Sequence, residues 1–295
     1  MERILFQNGR LLDPEASDER EGFGLLVEQG RIRARIGPGE AAPESARVVD
    51  LAGRALAPGF IDVHFHGSLI FDALDAPAAS LRHDAASILR HGSTAFLTTT
   101  IALGRQELGR RVEAIARAAD ELAEATETAS VLGIHLEGPW ISGQAPGAQP
   151  PDAIRAYDAA EGRAVLDAGS GCVKMVTLAP EVPGCDALVA ELERRGVVRA
   201  MGHTRAGAEQ ASDAFDRGVR HVTHLFNAMG SFHHREPGAI GATLADERVS
   251  CDLICDGVHV HPAAVRTAAR AKRDQLILIT DRIDPPEGGG VLGEG

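Results

Sequence analysis

A run of basic residues is missing from this sequence: 30 Lys and Arg stand against 42 Asp and Glu across 295 positions, a net charge of −12. That balance argues against nucleic acid or an anionic membrane surface as the main partner. A small anionic substrate stays open, because a local Arg/His cluster overrides a distant net charge. Long apolar runs are missing too. None reaches the ~20 residues of a transmembrane helix. The N-terminus, MERILFQNGRLLDPE, carries charges inside its first apolar run and lacks the apolar region of a signal peptide. Cysteine is scarce. The four, Cys172, Cys185, Cys251 and Cys255, form no C-x-x-C pair, which argues against a zinc knuckle. The expectation is reduced, mostly buried thiols in a cytoplasmic protein. What the chain has in quantity is apolar: 44% hydrophobic residues, enough to bury a full core.

The chain changes rhythm near residue 56. Residues 1–55 read as short strands and turns, with Asn8-Gly9 and Gln29-Gly30 as turn signals between alternating apolar runs. This portion is expected to form part of a small β-sandwich. Residues 56–295 alternate apolar runs with Ala/Glu/Arg-rich helical segments. Eight strands are expected, in LAPGFIDVHFH, STAFLTTTI, SVLGIHLEG, CVKMVTLAP, VVRAMGHT, HVTHLFN, VSCDLICDG and QLILITD. The sixth connection, AMGSFHHREPGAIGATLADER, is Gly-rich and reads as a long loop with at most a short helix. Strands joined by helical crossovers predict an α/β fold, a (β/α)8 TIM-type barrel, rather than an open doubly wound sheet. The polar residues favour the barrel. His64, His66, Glu137, His203, His224, Asp256 and Asp281 all fall at the C-terminal ends of strands. A barrel gathers those ends around one mouth; an open sheet spreads them along an edge.

Within GFIDVHFHG, His64 and His66 point the same way, because side chains alternate along a strand. Two readings fit the pair: metal ligands, or ordinary polar residues at a strand end. Taken singly, each other residue has a similar everyday reading. Glu137 could cap the turn before Gly138-Pro139, and Asp281 could cap a following helix. Taken together, four histidines, a glutamate and an aspartate at the ends of five strands point to a metal site. Imidazole and carboxylate without thiolate suit zinc, and also iron, nickel or manganese.

The motifs PGFIDVHFHG, HLEGPW, GHT, THLFNAM, DGVHV and ITD, in this order, resemble the amidohydrolase superfamily. Within it they are similar to the N-acetylglucosamine-6-phosphate deacetylases, to which HLEGP, THLFNAM followed by REPG, and DGVHV are specific. The resemblance implies a metal-dependent barrel with a small β-sandwich built from both chain termini. It implies Glu137 as primary metal ligand, completed by His203 and His224, with His64 and His66 allowing a second metal bridged by Glu137. Asp281 matches the family's catalytic acid/base. Ala148, Gln149, Asn227 and Ala228 would lie along a bound amino-sugar phosphate. Arg235 and His259 match the phosphate binders, the arginine reaching across the interface of a homodimer.

Two departures stand out. Arg282 follows Asp281 where the family has a small residue, and the sequence IDPPEGGGVLGEG matches the family poorly. With 14 residues after Asp281, no eighth helix and no C-terminal sandwich strands are expected, as in a truncated member. The alternatives are a dihydroorotase-like or dipeptidase-like amidohydrolase, which needs a carboxylated lysine such as Lys174 on the fourth barrel strand, or an inactive fragment.

Overall fold

Alternation of strand and helix governs most of the computed structural model, which describes residues 3–13, 20–37, 46–68, 70 and 76–284. The chain divides into two compact units, residues 1–60 and 61–295.

The first unit holds β1 (Arg3–Leu11), β2 (Arg20–Glu28), β3 (Arg31–Ile36), β4 (Arg47–Asp50) and β5 (Ala55–Leu56). They form one sheet in the order β3-β2-β1-β4, with β5 also beside β1. Leu5, Phe23, Leu25 and Leu26 are buried in it. Gln29 and Gly30 form the expected hairpin turn between β2 and β3, both with positive φ (51° and 71°), as a type I′ turn requires. Asn8-Gly9 differs from expectation. It lies inside β1, where Asn8 has φ 58° and the register with β2 slips on either side of Gly9. It is a bulge, not a turn. An Asn-Gly pair tolerates the left-handed backbone that both features use, so the dipeptide alone does not distinguish them.

The second unit contains β6 (Phe60–Gly67), β7 (Ser93–Thr100), β8 (Ser130–Glu137), β9 (Val173–Leu178), β10 (Val198–Met201), β11 (His221–Val222), β12 (Ser250–Ile254), β13 (Leu276–Ile279) and β14 (Arg282–Ile283). Between them run α1 (Pro77–Leu89), α2 (Arg105–Leu122), α3 (Ala159–Ala168), α4 (Cys185–Arg194), α5 (Ala208–Asp216), α6 (Gly238–Ala245) and α7 (Pro262–Lys272). β6 to β13 lie side by side in sequence order. The pairings from β7 to β13 are parallel. Such strands are covered on both faces and read as near-continuous apolar runs. The helices cover the outer face with apolar stripes; in α2, Leu108, Val112, Ile115 and Leu122 are buried at helical spacing.

The sheet curls. β13 pairs with β12, and after two more residues β14 pairs with β6, the first strand. Asp281 N donates to His64 O at 3.0 Å and Asp284 N to Gly67 O at 2.9 Å across this join. Packing agrees: Leu97, Met175 and Ala200 cluster with Val63. These residues sit on β7, β9, β10 and β6, and a flat sheet would hold them apart. Along β13, Ile279 is 6% exposed and Leu278 is 58% exposed, the alternation expected of a strand whose last residues face the mouth. The stretch where an eighth helix would follow, 285–295, lies outside the described residues.

The sixth connection holds one short helix, α6, within the expectation. One other expectation changed in detail. The strand expected in HVTHLFN is only two residues long. His224, Phe226 and Ala228 beyond it all have positive φ, which ends regular pairing. The four cysteines are free, three of them buried or partly buried, and Cys255 is exposed. No helix among the described residues is long and apolar enough to cross a membrane.

Candidate metal centre

The strand ends deliver six side chains to one place. Alternation along β6 sends His64 and His66 to the same side, with their Nε2 atoms 3.3 Å apart. Glu137 is the last residue of β8. His203 and His224 follow β10 and β11, and Asp281 stands between β13 and β14, with φ of 46°, 32° and 49°. Left-handed backbone at a non-glycine residue costs about 1–3 kcal/mol. Here it turns each chain end sharply, so that the side chain enters the mouth instead of continuing the strand's alternation.

Two groups result: Glu137 with His203 and His224, and His64 with His66 and Asp281. In the first, Glu137 Oε1 lies 3.1 Å from His203 Nε2 and 2.8 Å from His224 Nε2, and the two nitrogens are 3.1 Å apart. In the second, Asp281 Oδ1 is 3.1 Å from the Nε2 atoms of both His64 and His66. Glu137 joins them: Oε1 is 3.5 Å from His64 Nε2 and Oε2 is 3.3 Å from His66 Nε2. Donors at about 2.0–2.1 Å from one tetrahedral zinc stand roughly 3.3 Å from each other, close to these separations. Two of the four rings also have their tautomer set. His66 Nδ1 faces Thr99 O at 3.1 Å and His203 Nδ1 faces Ala145 O at 2.9 Å. A carbonyl accepts only from N–H, so in the neutral ring each Nε2 keeps a free lone pair aimed at the centre. The donor set therefore fits a divalent metal.

The electrostatics also favour a cation. Burial would lower the His66 pKa, but Asp281 and Glu137 outweigh it and raise the group to about 10. His224 is buried too, yet its hydrogen bond to Glu137 carries it up to about 9. Burial would raise the carboxylates. His64 and His203 more than offset this at Glu137, which stays well below the ordinary range, and His64 and His66 hold Asp281 at about 2. The carboxylates stay ionised and draw positive charge into the space between them, either a proton on the rings or a metal ion that displaces it and leaves the rings neutral.

A cavity of about 400 Å³ opens over the centre. His66, Glu137, His203, His224 and Asp281 line it, as do Ala148, Gln149, Asn227, Ala228 and His259. His64 is fully buried behind this surface. Arg235 is absent from the lining; it sits exposed in the loop before α6, its N–H donating to His233 Nδ1 at 3.3 Å. Asp256, though near a strand end, belongs to neither metal-type group and does not line the cavity. It accepts from His259 N at 2.9 Å and pairs with His259 Nδ1 at 2.7 Å. Lys174 is exposed near the start of β9, its Nζ bonded to Gly171 O at 2.8 Å, so it is far along the strand from the residues that line the mouth.

Several supporting residues escaped the sequence reading. Asp62 accepts from His64 N at 3.1 Å and from Thr280 Oγ1 at 2.7 Å. Asp252 bonds His221 Nε2 at 2.9 Å and accepts from the backbone N–H of His224. Both carboxylates are buried in strands, and a charge within an apolar run was the available signal. Gln149, expected only along a bound sugar phosphate, also bonds Glu137 directly. Ile101, Ile254 and Ile283 supply apolar wall, and nothing in their spacing marked them.

A curled parallel sheet with strand-end imidazoles around a shared carboxylate is an arrangement that known proteins share. The amidohydrolase family matches this chain over residues 55–287. The chain belongs to that family. Among curated proteins it is 39% identical over 259 residues to an N-acetylglucosamine-6-phosphate deacetylase of Bacillus subtilis, covering 86% of this chain and 65% of that protein. It is 34% identical over 263 residues to an N-acetylgalactosamine-6-phosphate deacetylase of Escherichia coli O157:H7, covering 87% of this chain and 69% of that protein. Among solved structures, a mutant N-acetyl-D-glucosamine-6-phosphate deacetylase of Mycobacterium smegmatis in complex with N-acetyl-D-glucosamine-6-phosphate matches with a TM-score of 0.81 at 37% identity, covering 95% of this chain and 70% of that one. The chain thus spans about two thirds of the length of these relatives.

Proposed function

We propose that this chain carries the active site of a hydrolase that cleaves the N-acetyl amide of N-acetylglucosamine 6-phosphate, releasing glucosamine 6-phosphate and acetate in amino-sugar breakdown. The carrying observation is Asp281 Oδ1 at 3.1 Å from two imidazoles at the edge of a cavity whose floor holds Glu137, His203 and His224. In this reading His203, His224 and Glu137 hold a divalent metal, and His64, His66 and Asp281 offer a second position. Zinc suits the donors best, with iron, nickel and manganese compatible. When bound, the metal would bring the pKa of a water toward neutrality and polarise the amide carbonyl.

The chain's own groups do the rest. Asp281, ionised and partly open to the cavity, takes the proton of the attacking water. It returns that proton to the leaving nitrogen, which otherwise would have to depart as an amide anion. Asn227, Ala228, Ala148 and Gln149 border the sugar, and His259 and Arg235 hold its phosphate. A guanidinium fork matches phosphate oxygens. Because Arg235 is outside the cavity lining, its role is proposed to be exercised across a homodimer interface. Fixing the phosphate at one end would hold the acetyl group beside Asp281 and the strand-end imidazoles at the other. The same reading makes the curled sheet a (β/α)8 barrel with the N-terminal strands belonging to a small β-sandwich, in a cytoplasmic enzyme.

The test is deacetylation by the purified chain with added zinc, offering N-acetylglucosamine 6-phosphate, its galactosamine epimer and the unphosphorylated sugar. Release of acetate from the first in clear preference to the others supports the proposal. Equal turnover of the unphosphorylated sugar overturns the phosphate reading.

A further inference from the structure

We infer that Gln149 is a positioning residue of the metal centre, orienting Glu137 toward His203 and His224 and thereby making the two metal positions unequal; the inference rests on the metal reading above. Gln149 is 5% exposed. Its Oε1 accepts from Ala102 N at 2.7 Å, and its Nε2 donates to Glu137 Oε2 at 2.5 Å. The first bond fixes the second. A backbone N–H needs an acceptor, so the amide oxygen must face Ala102 and the NH2 must face the carboxylate.

The consequence for Glu137 is asymmetry. Oε2 lies between the Gln149 amide and His66 Nε2, at 2.5 and 3.3 Å. Oε1 points to His203 and His224, at 3.1 and 2.8 Å, and stands farther, at 3.5 Å, from His64 Nε2. A neutral amide cannot withdraw its proton, so one lone pair of Oε2 is permanently engaged and charge is drawn from it. Oε1 remains the stronger donor, and the group of Glu137, His203 and His224 becomes the tighter metal position.

A second observation points the same way. The segment carrying Gln149 also carries the partner of another ligand: Ala145 O faces His203 Nδ1 at 2.9 Å. Gly147, with φ 53°, packs so close that a Cβ there would stand 3.1 Å from His203 Cε1. The segment is itself a tight turn, Gln149 N donating to Pro146 O at 2.9 Å. One short loop thus holds both the carboxylate and an imidazole of one group and neither imidazole of the other. With both amide atoms engaged, Gln149 has less to offer a sugar than the family resemblance implies.

The experiment is stepwise titration of the metal-free chain with Zn²⁺ against a competing chelator, and with Co²⁺ read by its visible absorption. The wild type is expected to fill one position before the other. Gln149→Met should weaken the tighter position by about 10–100-fold, the usual loss on removing a group that orients a ligand, and should alter the absorption of the first Co²⁺ bound. Gln149→Asn keeps an amide but is too short to span Ala102 and Glu137, so it carries the same expectation if the Met variant does not fold. Unchanged first affinity in a folded variant, with KM for the sugar phosphate raised instead, overturns the inference and leaves the metal reading intact. A wild type that binds no metal overturns both.

Discussion

Asp281 meets His64 twice: its backbone N–H donates to the His64 carbonyl at 3.0 Å, and its Oδ1 lies 3.1 Å from the His64 Nε2. The join between the last described strands and the first strand is therefore also the place where the acid/base candidate meets the histidine pair. The same residue that joins the two ends of the sheet thus completes the site.

Asp281→Asn should separate proton transfer from metal binding. The amide keeps the size and the backbone bond but cannot accept a proton from water. Turnover of the sugar phosphate is expected to fall by about 10²–10⁴-fold, the usual share of a positioned acid/base. Metal bound at Glu137, His203 and His224 should persist, checked by elemental analysis beside the kinetics. Turnover near the wild-type value would remove Asp281 from the mechanism.

The join itself depends on Asp62, which accepts from both His64 N and Thr280 Oγ1. Asp62→Ala leaves these donors without their acceptor in a buried place. The expected loss is about 1–3 kcal/mol per unsatisfied group, read as a lower denaturant midpoint. A midpoint equal to the wild type would show that the join is held without this carboxylate.

Much of this was legible because the chemistry sits at strand ends. The H-x-H spacing, the Glu-Gly-Pro turn and the isolated strand-end histidines all fall where a parallel α/β sheet presents its C-terminal edge, so period-2 and period-3.6 patterns sufficed to gather them. Supports were harder to read. Asp62 reaches Thr280, 218 positions on, and Asp252 reaches His221 and His224 on and just after the neighbouring strand, relations that only the folded register creates. Gln149 is similar: its partners are Ala102, just after β7, and Glu137, the last residue of β8. The shortness of β11 escaped because left-handed residues such as His224 and Ala228 carry no compositional mark, unlike glycine. Asn8-Gly9 misled for the converse reason, since its backbone preference serves a bulge as well as a turn.

Gly67 provides a test of how tightly the histidine pair is held. It has φ 65°, and a Cβ there would stand 2.3 Å from Asp84 Oδ2. Asp84 is itself committed, accepting from Ser68 N and Oγ at 2.9 and 2.6 Å. Gly67→Ala therefore meets both backbone strain and a displaced carboxylate. A loss of about 1–3 kcal/mol is expected from the strain alone, measured by chemical denaturation, together with weaker metal binding at His64 and His66. A variant as stable as the wild type would mean that the segment shifts freely.

Arg235→Ala addresses specificity. The side chain sits in SFHHREPG, a basic loop in an acidic protein. A charge-assisted bond to phosphate is worth roughly 1.5–3 kcal/mol. KM for the phosphorylated sugar is thus expected to rise at least about tenfold, and preference over the unphosphorylated sugar to flatten. An unchanged ratio of kcat/KM for the two sugars would show that Arg235 does not touch the phosphate.

Removing the metal should cost stability as well as activity. Glu137, His64, His66, His203 and His224 are all buried, and a centre of this kind does not exist in the unfolded chain. A ligand that binds the folded state alone stabilises it by mass action, by about 4 kcal/mol at a thousand times its Kd. At about 2–4 °C of Tm per kcal/mol for a domain of this order of size, saturating zinc should raise the melting temperature by on the order of 8 °C over a chelated sample. Glu137→Ala tests the source of that shift, because it removes the carboxylate common to both groups. The variant should melt at the same temperature with zinc as with chelator. If it keeps the wild-type response, the zinc acts elsewhere on the chain; if the wild type shows no response, the converging imidazoles hold no metal in the folded state.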